Sequence, residues 1–105
     1  MATIIVLFNL KQGIRREDYE QWAKTTDLPI VRGLGSVDGF DVFRSSGLFG
    51  SDNPAPYDYI ELIAINDSEA FVRDIGEQTM TKVAAQFQSF ADNPQFLMTE
   101  KLTAE

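Results

Sequence analysis

Three polar-tipped side chains occupy alternate positions of one predicted strand: Tyr57, Tyr59 and Glu61. Alternate residues of a strand share a face, so these groups form a row with a spacing of about 6.6 Å. Such a row can orient an aromatic or heteroaromatic ligand, with Glu61 as a base or as a counter-charge to a ring N–H. The alternative is a tyrosine-rich dimer interface. Tyr59 and Glu61 are therefore candidates for both binding and catalysis.

Asn9 is a lone amide that follows the apolar run Ile4 to Phe8. The strand it ends should be buried, and an unpaired buried amide costs about 1–3 kcal/mol. Asn9 either faces a ligand, as a third catalytic and binding candidate, or is satisfied at the strand end by the turn Lys11 to Gly13.

Two arginines and the single tryptophan complete the binding candidates. Arg32 and Arg44 can each hold a carboxylate or a thioester-bound acid in a bidentate fashion, or form ordinary surface ion pairs. Trp22 either lines a pocket, where its indole N–H needs a partner, or belongs to the buried stripe of the first helix.

The composition excludes several kinds of chemistry. The 105 residues contain no histidine and no cysteine. Ser-His-Asp and Cys-His nucleophiles, thiolate metal sites and disulfides are therefore ruled out, and we expect no metal and no cofactor. An enzyme of this composition would depend on carboxylates, tyrosines and arginines in a shaped cavity.

The charge and the apolar segments indicate the cellular setting. The net charge of −7 opposes nucleic-acid binding. The apolar run near the N-terminus is too short to span a bilayer and has no basic leader. We expect a cytoplasmic protein that binds no nucleic acid and does not cross a membrane.

Hydrophobic periodicity divides the chain into alternating strands and helices. Strands are predicted at 3–10, 36–49, 57–65 and 95–102, and helices at 15–26, 28–33 and from 66 to about 91 with a break at Gly76. Asp27 is predicted to cap the second helix, and Asn66 with Glu69 to form a capping box for the third. Asp92 to Pro94 should end the last helix.

The order β-α-β-β-α-β predicts an α+β fold of the ferredoxin-like type, as a single domain over 1–105. Its helices cover one face of a four-stranded antiparallel sheet. Apolar residues occupy both faces of several strands, so a homodimer closed sheet against sheet is expected.

Some of the eight phenylalanines are expected to line an apolar cavity between helices and sheet. The loop Gly47 to Pro56 is either a lid with Phe49 as its latch or a long hairpin connection.

Three segments carry a resemblance to a known family: Arg16-Glu17-Asp18-Tyr19, Asp27-Leu28-Pro29 and Ser36 to Phe40. The turn and helix around the first segment resemble dimeric α/β-barrel proteins, and the tetrapeptide itself resembles the REDY-like family named after it. The resemblance implies a dimeric α/β barrel that acts in the bipyrrole branch of prodigiosin biosynthesis, an antibiotic pathway. It supplies no catalytic residues.

Three hypotheses follow. The first is an accessory protein that binds or positions an apolar pyrrole intermediate. The second is a cofactor-independent monooxygenase or isomerase that uses Tyr59, Glu61 and Asn9. The third is a non-catalytic dimeric partner of another biosynthetic enzyme.

Overall fold

The computed structural model describes residues 2–104. Its elements in chain order are β1 (Ala2–Leu10), α1 (Arg16–Trp22), a π-helical turn (Ala23–Asp27), α2 (Leu28–Arg32), β2 (Val37–Arg44), β3 (Tyr59–Ile65), α3 (Ser68–Ile75), α4 (Gln78–Phe90) and β4 (Ala91–Glu100). The predicted order of strands and helices is confirmed, as is the break at Gly76 between α3 and α4.

The four strands form one sheet in the order β2-β3-β1-β4, with every neighbouring pair antiparallel. The apolar strand β1 is central, because its β-branched run needs neighbours on both edges and cover on its faces. The predicted α+β, ferredoxin-like fold is confirmed.

The core lies between the sheet and the helices. Alternate residues of β1 face the helices, and Val6 and Phe8 are fully buried there. The Phe8 ring lies 5.5 Å from that of Tyr19 in α1 and 4.9 Å from that of Phe87 in α4, both edge to face. These aromatic contacts connect both helical segments to the central strand.

The opposite sheet face carries apolar side chains with no cover from this chain. They are half-buried or exposed, and they come from all four strands: Ile5, Leu7, Phe43, Ile60, Leu62, Ala64 and Leu97. Phe43 is 49% exposed and Leu97 41% exposed. The prediction of apolar residues on both faces of the sheet therefore holds.

The cap predicted at Asp27 is wrong. The backbone stays helical through the π-helical turn into α2, and Asp27 makes no capping hydrogen bond. Because the carboxyl has no free N–H groups to accept from at this position, it turns into the interior, where Asp27 is 5% exposed.

The cap predicted for the next helix is also wrong. Asp67 accepts from the Ala70 N–H, whereas Asn66 donates to the Gly35 carbonyl and to Asp38. The helix thus starts one residue later than the capping-box pattern indicated.

The bounds of β2 and β4 differ from those of the predicted strands, 36–49 and 95–102. β2 ends at Arg44, because the Gly-rich stretch that follows leaves the sheet. Asp92 to Pro94 do not separate α4 from a strand but lie inside β4, where the pairing with β1 shifts between Leu7 and Asn9 and Asn93 takes a positive φ of 49°. This irregularity accommodates the proline within an edge strand.

In the part of the chain that the structure describes, no helix is both long and apolar enough to cross a bilayer.

Candidate functional site

An apolar cavity of about 270 Å³ lies between the helix-facing side of the sheet and helices α3 and α4. Its walls are Ile4, Asp27, Val31, Phe40, Glu61, Ile63, Phe71, Ile75, Met80, Val83, Ala84, Phe87, Gln88, Phe96 and Met98. Phe96 and Met98, on edge strand β4, are 55% and 65% exposed, so the cavity reaches solvent beside this strand.

Two acidic side chains lie in the wall of this cavity. Glu61 projects from β3 toward the helices and is 4% exposed, and Asp27 at the end of the π-helical turn is 5% exposed. No lysine or arginine lines the cavity with them. Buried charges are normally paired, so two acids without a cation indicate a specialised site.

The environment of the two acids favours their protonated forms. Burial, and then the charge of Asp27, raise the pKa of Glu61 to about 8, while the hydrogen bond donated by the Tyr19 hydroxyl to Glu61 Oε2 at 3.3 Å lowers it. Burial raises the pKa of Asp27 to about 7. Near neutral pH the pair can therefore give or take a proton.

Tyr59 lies on the same strand face as Glu61 but next to a different space. It borders a cleft of about 180 Å³ together with Glu20 and Arg44. The Tyr59 hydroxyl donates to Glu20 Oε2 at 2.6 Å, and Arg44 donates to both oxygens of Glu20 at 2.7 and 2.6 Å. The bonds from Arg44 and Tyr59 lower the pKa of Glu20 to about 2. This cluster is a satisfied ion-pair network beside the cavity.

Asn9 joins the end of β1 to the chain segment before β3. Its Nδ2 donates to the Pro56 carbonyl at 3.2 Å, and its Oδ1 accepts from the Asp58 N–H at 2.9 Å. Both ends of the amide are thus bonded within the fold, by this segment and not by the turn Lys11 to Gly13. Asn9 does not line the cavity.

The remaining candidates lie outside the cavity. Trp22 Nε1 donates to Gln86 Oε1 at 2.8 Å. Arg32 donates to the Phe40 carbonyl at 2.9 Å and pairs with Asp41 at 3.4 Å. Tyr57 precedes β3, so it does not continue the strand row of Tyr59 and Glu61.

Arg16 at the start of α1 and Phe49 in the loop before β3 also lie outside the cavity lining. Arg16 pairs with Asp58 at 3.5 Å and lies 5.5 Å from the centre of the Tyr59 ring, within cation–π range. In the loop before β3, Phe49 is fully exposed, and no loop residue lines the cavity.

Asp27 is the acidic cavity residue that the sequence patterns do not predict. Tyr19, Ala23, Asp27 and Val31 follow one another at intervals of four, and all four are buried. In a regular helix this spacing drifts by about 40° per step, since each residue turns about 100°. The wider π-helical turn reduces the drift and keeps Asp27 on the buried stripe. The sequence signal for a buried acid is the position of Asp27 four residues after Ala23, on the apolar stripe of the first helix.

Residues 2–104 bring no three acidic side chains close enough together to hold a metal ion. The cavity can instead bind an apolar molecule and present it with two acids. No reaction step follows from the geometry alone.

The comparisons with known proteins agree with this architecture. HapK from Hahella chejuensis, at 31% identity, aligns over 100% of this chain and 96% of its own, with a TM-score of 0.80. A dimeric ferredoxin-like protein of unknown function from Thermobifida fusca is 14% identical, with 93% and 88% coverage and a TM-score of 0.71. SnoaB, a cofactor-independent oxygenase from Streptomyces nogalater, is 12% identical, with 98% and 94% coverage and a TM-score of 0.76.

At such low identity the last two show the fold alone. No curated protein matches the sequence significantly. The sequence profile of the family described as REDY-like protein HapK matches residues 2–102. The chain therefore belongs to the REDY-like HapK family.

Proposed function

We propose that this chain is an accessory small-molecule-binding protein of secondary metabolism, in the bipyrrole branch of prodigiosin biosynthesis. It binds and positions an apolar pyrrole intermediate in the cavity between α3, α4 and the sheet. The single observation that carries the proposal is this cavity, which is apolar apart from a few polar groups and holds two buried acids.

The cavity has the features of a ligand site. Its volume of about 270 Å³ is close to the lower end of the range for small-molecule pockets, roughly 300–1,000 Å³. Aromatic walls from Phe40, Phe71 and Phe87 suit a flat ring system, and the acids of Glu61 and Asp27 suit its N–H groups. The ligand is therefore a small aromatic molecule with few polar groups.

Family membership supports the pathway. The chain belongs to the family of HapK, and the family resemblance implies a role in making the bipyrrole half of prodigiosin. A reactive pyrrole intermediate gains protection from a cavity whose walls exclude water. The proposal combines this chemical need with the observed cavity.

A homodimer is part of the proposal. The sheet face opposite the helices exposes Phe43 and Leu97 among the other apolar side chains described above. A contiguous apolar face of this kind marks an interaction site, and a second copy placed by a two-fold axis covers it with the same residues. The structural neighbour from Thermobifida fusca is a dimeric ferredoxin-like protein. Because the cavity lies on the helix side of the sheet, it remains open in such a dimer.

A second candidate function is cofactor-independent oxygenation or isomerisation of the same intermediate. The observation that favours it is the pair of buried acids with raised pKa values, since a base poised near neutral pH can remove a proton from a bound ring. Under this candidate Asp27 or Glu61 is the base, and the bound substrate itself reacts with oxygen.

The test uses a producing strain from which the gene has been deleted. Loss of the protein should reduce pigment and cause a bipyrrole-branch intermediate to accumulate, as measured by mass spectrometry. Wild type and Ala85→Trp should restore pigment, whereas Ala84→Trp should not, because Ala84 lines the cavity and is exposed, whereas its exposed neighbour Ala85 does not line it. Equal restoration by all three proteins contradicts the cavity's role.

An assay with purified protein distinguishes the binding function from the enzymatic one. A bipyrrole aldehyde incubated with the protein in air should keep its mass and structure if the chain only binds it. A new product that disappears with Glu61→Gln or Asp27→Asn establishes the enzyme instead.

A further inference from the structure

Asp27 is a buried acid with no bonding partner. Its carboxyl is 5% exposed and takes part in no hydrogen bond or ion pair with any described residue, so burial is what shifts its pKa. By contrast, each fully enclosed polar side-chain atom in the described part of the chain has a hydrogen-bond partner. The oxygens of Asp27 have no such partner, so they are not fully enclosed, and the space that Asp27 borders is the cavity.

Glu61 is the second acid of the cavity, and it is already bonded. Its Oε2 accepts from the Tyr19 hydroxyl at 3.3 Å, behind the cavity wall. The charge of Asp27 raises the pKa of Glu61, so the two carboxyls interact. The titratable groups around Asp27 are thus Glu61 and Tyr19, all acidic, and the remaining polar residue of the lining is the neutral Gln88.

The cavity wall therefore contains two acids that can ionise, and no lysine or arginine of the lining balances their charge. A buried carboxylate is costly unless a hydrogen-bonded cation accompanies it. A bonded charge pair in such an environment stabilises the complex more than a neutral hydrogen bond does. None of the described residues places a cation in the cavity wall, so a ligand can supply it.

We propose that Asp27 is the counter-ion for a protonated nitrogen on a ligand whose apolar body fills the cavity. This inference rests on the proposed function and adds the charge of the ligand: an amine-, imine- or amidine-type nitrogen that carries a proton when bound. The rest of the lining contacts the apolar body and excludes water. Glu61 remains bonded to Tyr19 and adds to the negative field.

Binding of a cationic ligand should change the protonation of the two buried acids. Near neutral pH the acids are partly protonated in the free protein, because burial raises the pKa values of both. A cation beside Asp27 stabilises its ionised form, so a ligand that is already protonated in solution, such as a primary amine, must release protons when it binds. The release is greatest between the pKa of Asp27 in the complex and its higher pKa in the free protein, and it disappears as the pH falls below the first or rises above the pKa values of both acids.

Three probes of the same shape test the inference: 1-naphthylmethylamine, 1-naphthalenemethanol and 1-ethylnaphthalene. The first is a cation, the second a neutral donor and the third an apolar isostere. We expect the amine to bind about tenfold or more tightly than the other two, as a charge-assisted bond in a buried site provides. Calorimetry of the amine in two buffers of different ionisation enthalpy should show proton release.

Matched variants assign the preference to one residue. Asp27→Asn should abolish both the preference for the amine and the proton release, while binding of 1-ethylnaphthalene persists. Asp41→Asn, which removes a surface partner of Arg32 outside the cavity, should leave both unchanged. If Asp27→Asn does not fold, the probe preference and the pH dependence of proton release in the wild type still decide the matter.

The contrary outcomes are distinct. If 1-ethylnaphthalene binds and the amine binds no more tightly, the counter-ion role is wrong while the cavity function stands. The same conclusion follows if the preference survives in Asp27→Asn. If none of the three probes binds, both the inference and the proposed function are overturned.

Discussion

The stability of this protein should decrease as the pH rises through the range in which its buried acids ionise. Asp27 has a pKa of about 7 in the folded chain, raised by burial from a reference value of 3.8. In the unfolded chain the carboxyl is solvated and has its ordinary pKa. Between these two values the folded state binds more protons than the unfolded state, so the free energy of unfolding must decrease with increasing pH.

The size of the effect follows from the two pKa values. Between about pH 5 and about pH 8, the ionisation of Asp27 alone removes roughly 3 kcal/mol from the free energy of unfolding. Glu61 acts in the same direction, since burial raises its pKa to about 8. The stabilisation is present in full below the unfolded pKa and is lost as the pH rises through the folded pKa.

The comparison to make is between wild type and Asp27→Asn by urea denaturation at fixed protein concentration. The asparagine replaces a neutral acid with a neutral amide, so the two proteins should be about equally stable only below the unfolded pKa of 3.8, where the acid is protonated in both states. Between about pH 5 and about pH 8 the stability advantage of the variant should grow by roughly 3 kcal/mol, because it has no buried charge to form there. Asp41→Asn, on the surface beside Arg32, is the control and should follow the wild-type curve.

A wild-type free energy of unfolding that stays level or rises between pH 5 and pH 8 refutes this reasoning. So does a variant whose pH dependence is the same as that of the wild type. Either result would mean that Asp27 is solvated or paired in solution.

Three further predictions concern residues outside the cavity. Asn9→Ala should lower the free energy of unfolding by about 1 kcal/mol in urea denaturation, since it removes the bonds to the Asp58 N–H and the Pro56 carbonyl while the Asp58 N–H keeps the Phe8 carbonyl as an acceptor; an unchanged midpoint contradicts the structural role. Arg44→Gln should cost no more than about 1 kcal/mol by the same method, because its side chain is 58% exposed and surface pairs contribute little; a much larger loss would show that the cluster is buried in the assembly. Leu62→Lys, on the open sheet face, should yield a monomer in analytical ultracentrifugation, whereas Thr81→Lys on α4 should leave the wild-type mass; a Leu62→Lys protein that keeps the dimer mass excludes that face as the interface.

The order of elements could be predicted because its signals are local. The apolar run of β1 and the helical stripe of Met80, Val83 and Phe87 each show their period within a few residues. Gly76 marks a real helix boundary because it ends α3. The four-stranded sheet then follows from the order of the elements.

The site was harder to predict, because it depends on how distant elements meet. Glu61 could be identified from its alternate spacing with Tyr59, but the sequence did not indicate that the two side chains face different spaces. Asp27 precedes Leu-Pro, and this pattern is typical of a helix cap, so it predicts a capping residue and not a cavity residue. The π-helical turn that carries it inward has no local signature, because its stability comes from packing against the sheet.

The irregularity in β4 escaped prediction for a related reason. Asp92, Asn93 and Pro94 are residues typical of a turn, and in isolation they separate a helix from a strand. Here the pairing of Asp92 with Asn9 and of Ala91 with Leu10 holds the segment in the sheet. Tertiary pairing therefore overrides the local preference.

The central claim is that the cavity between the sheet and helices α3 and α4 binds a small pyrrole-type molecule. Calorimetric titration of a bipyrrole aldehyde into purified wild type, Ala84→Trp and Ala85→Trp tests it most directly. We predict one binding site per chain in wild type and in Ala85→Trp, and no binding in Ala84→Trp, whose indole fills the cavity mouth. Equal binding by all three proteins, or no binding by wild type, contradicts the account.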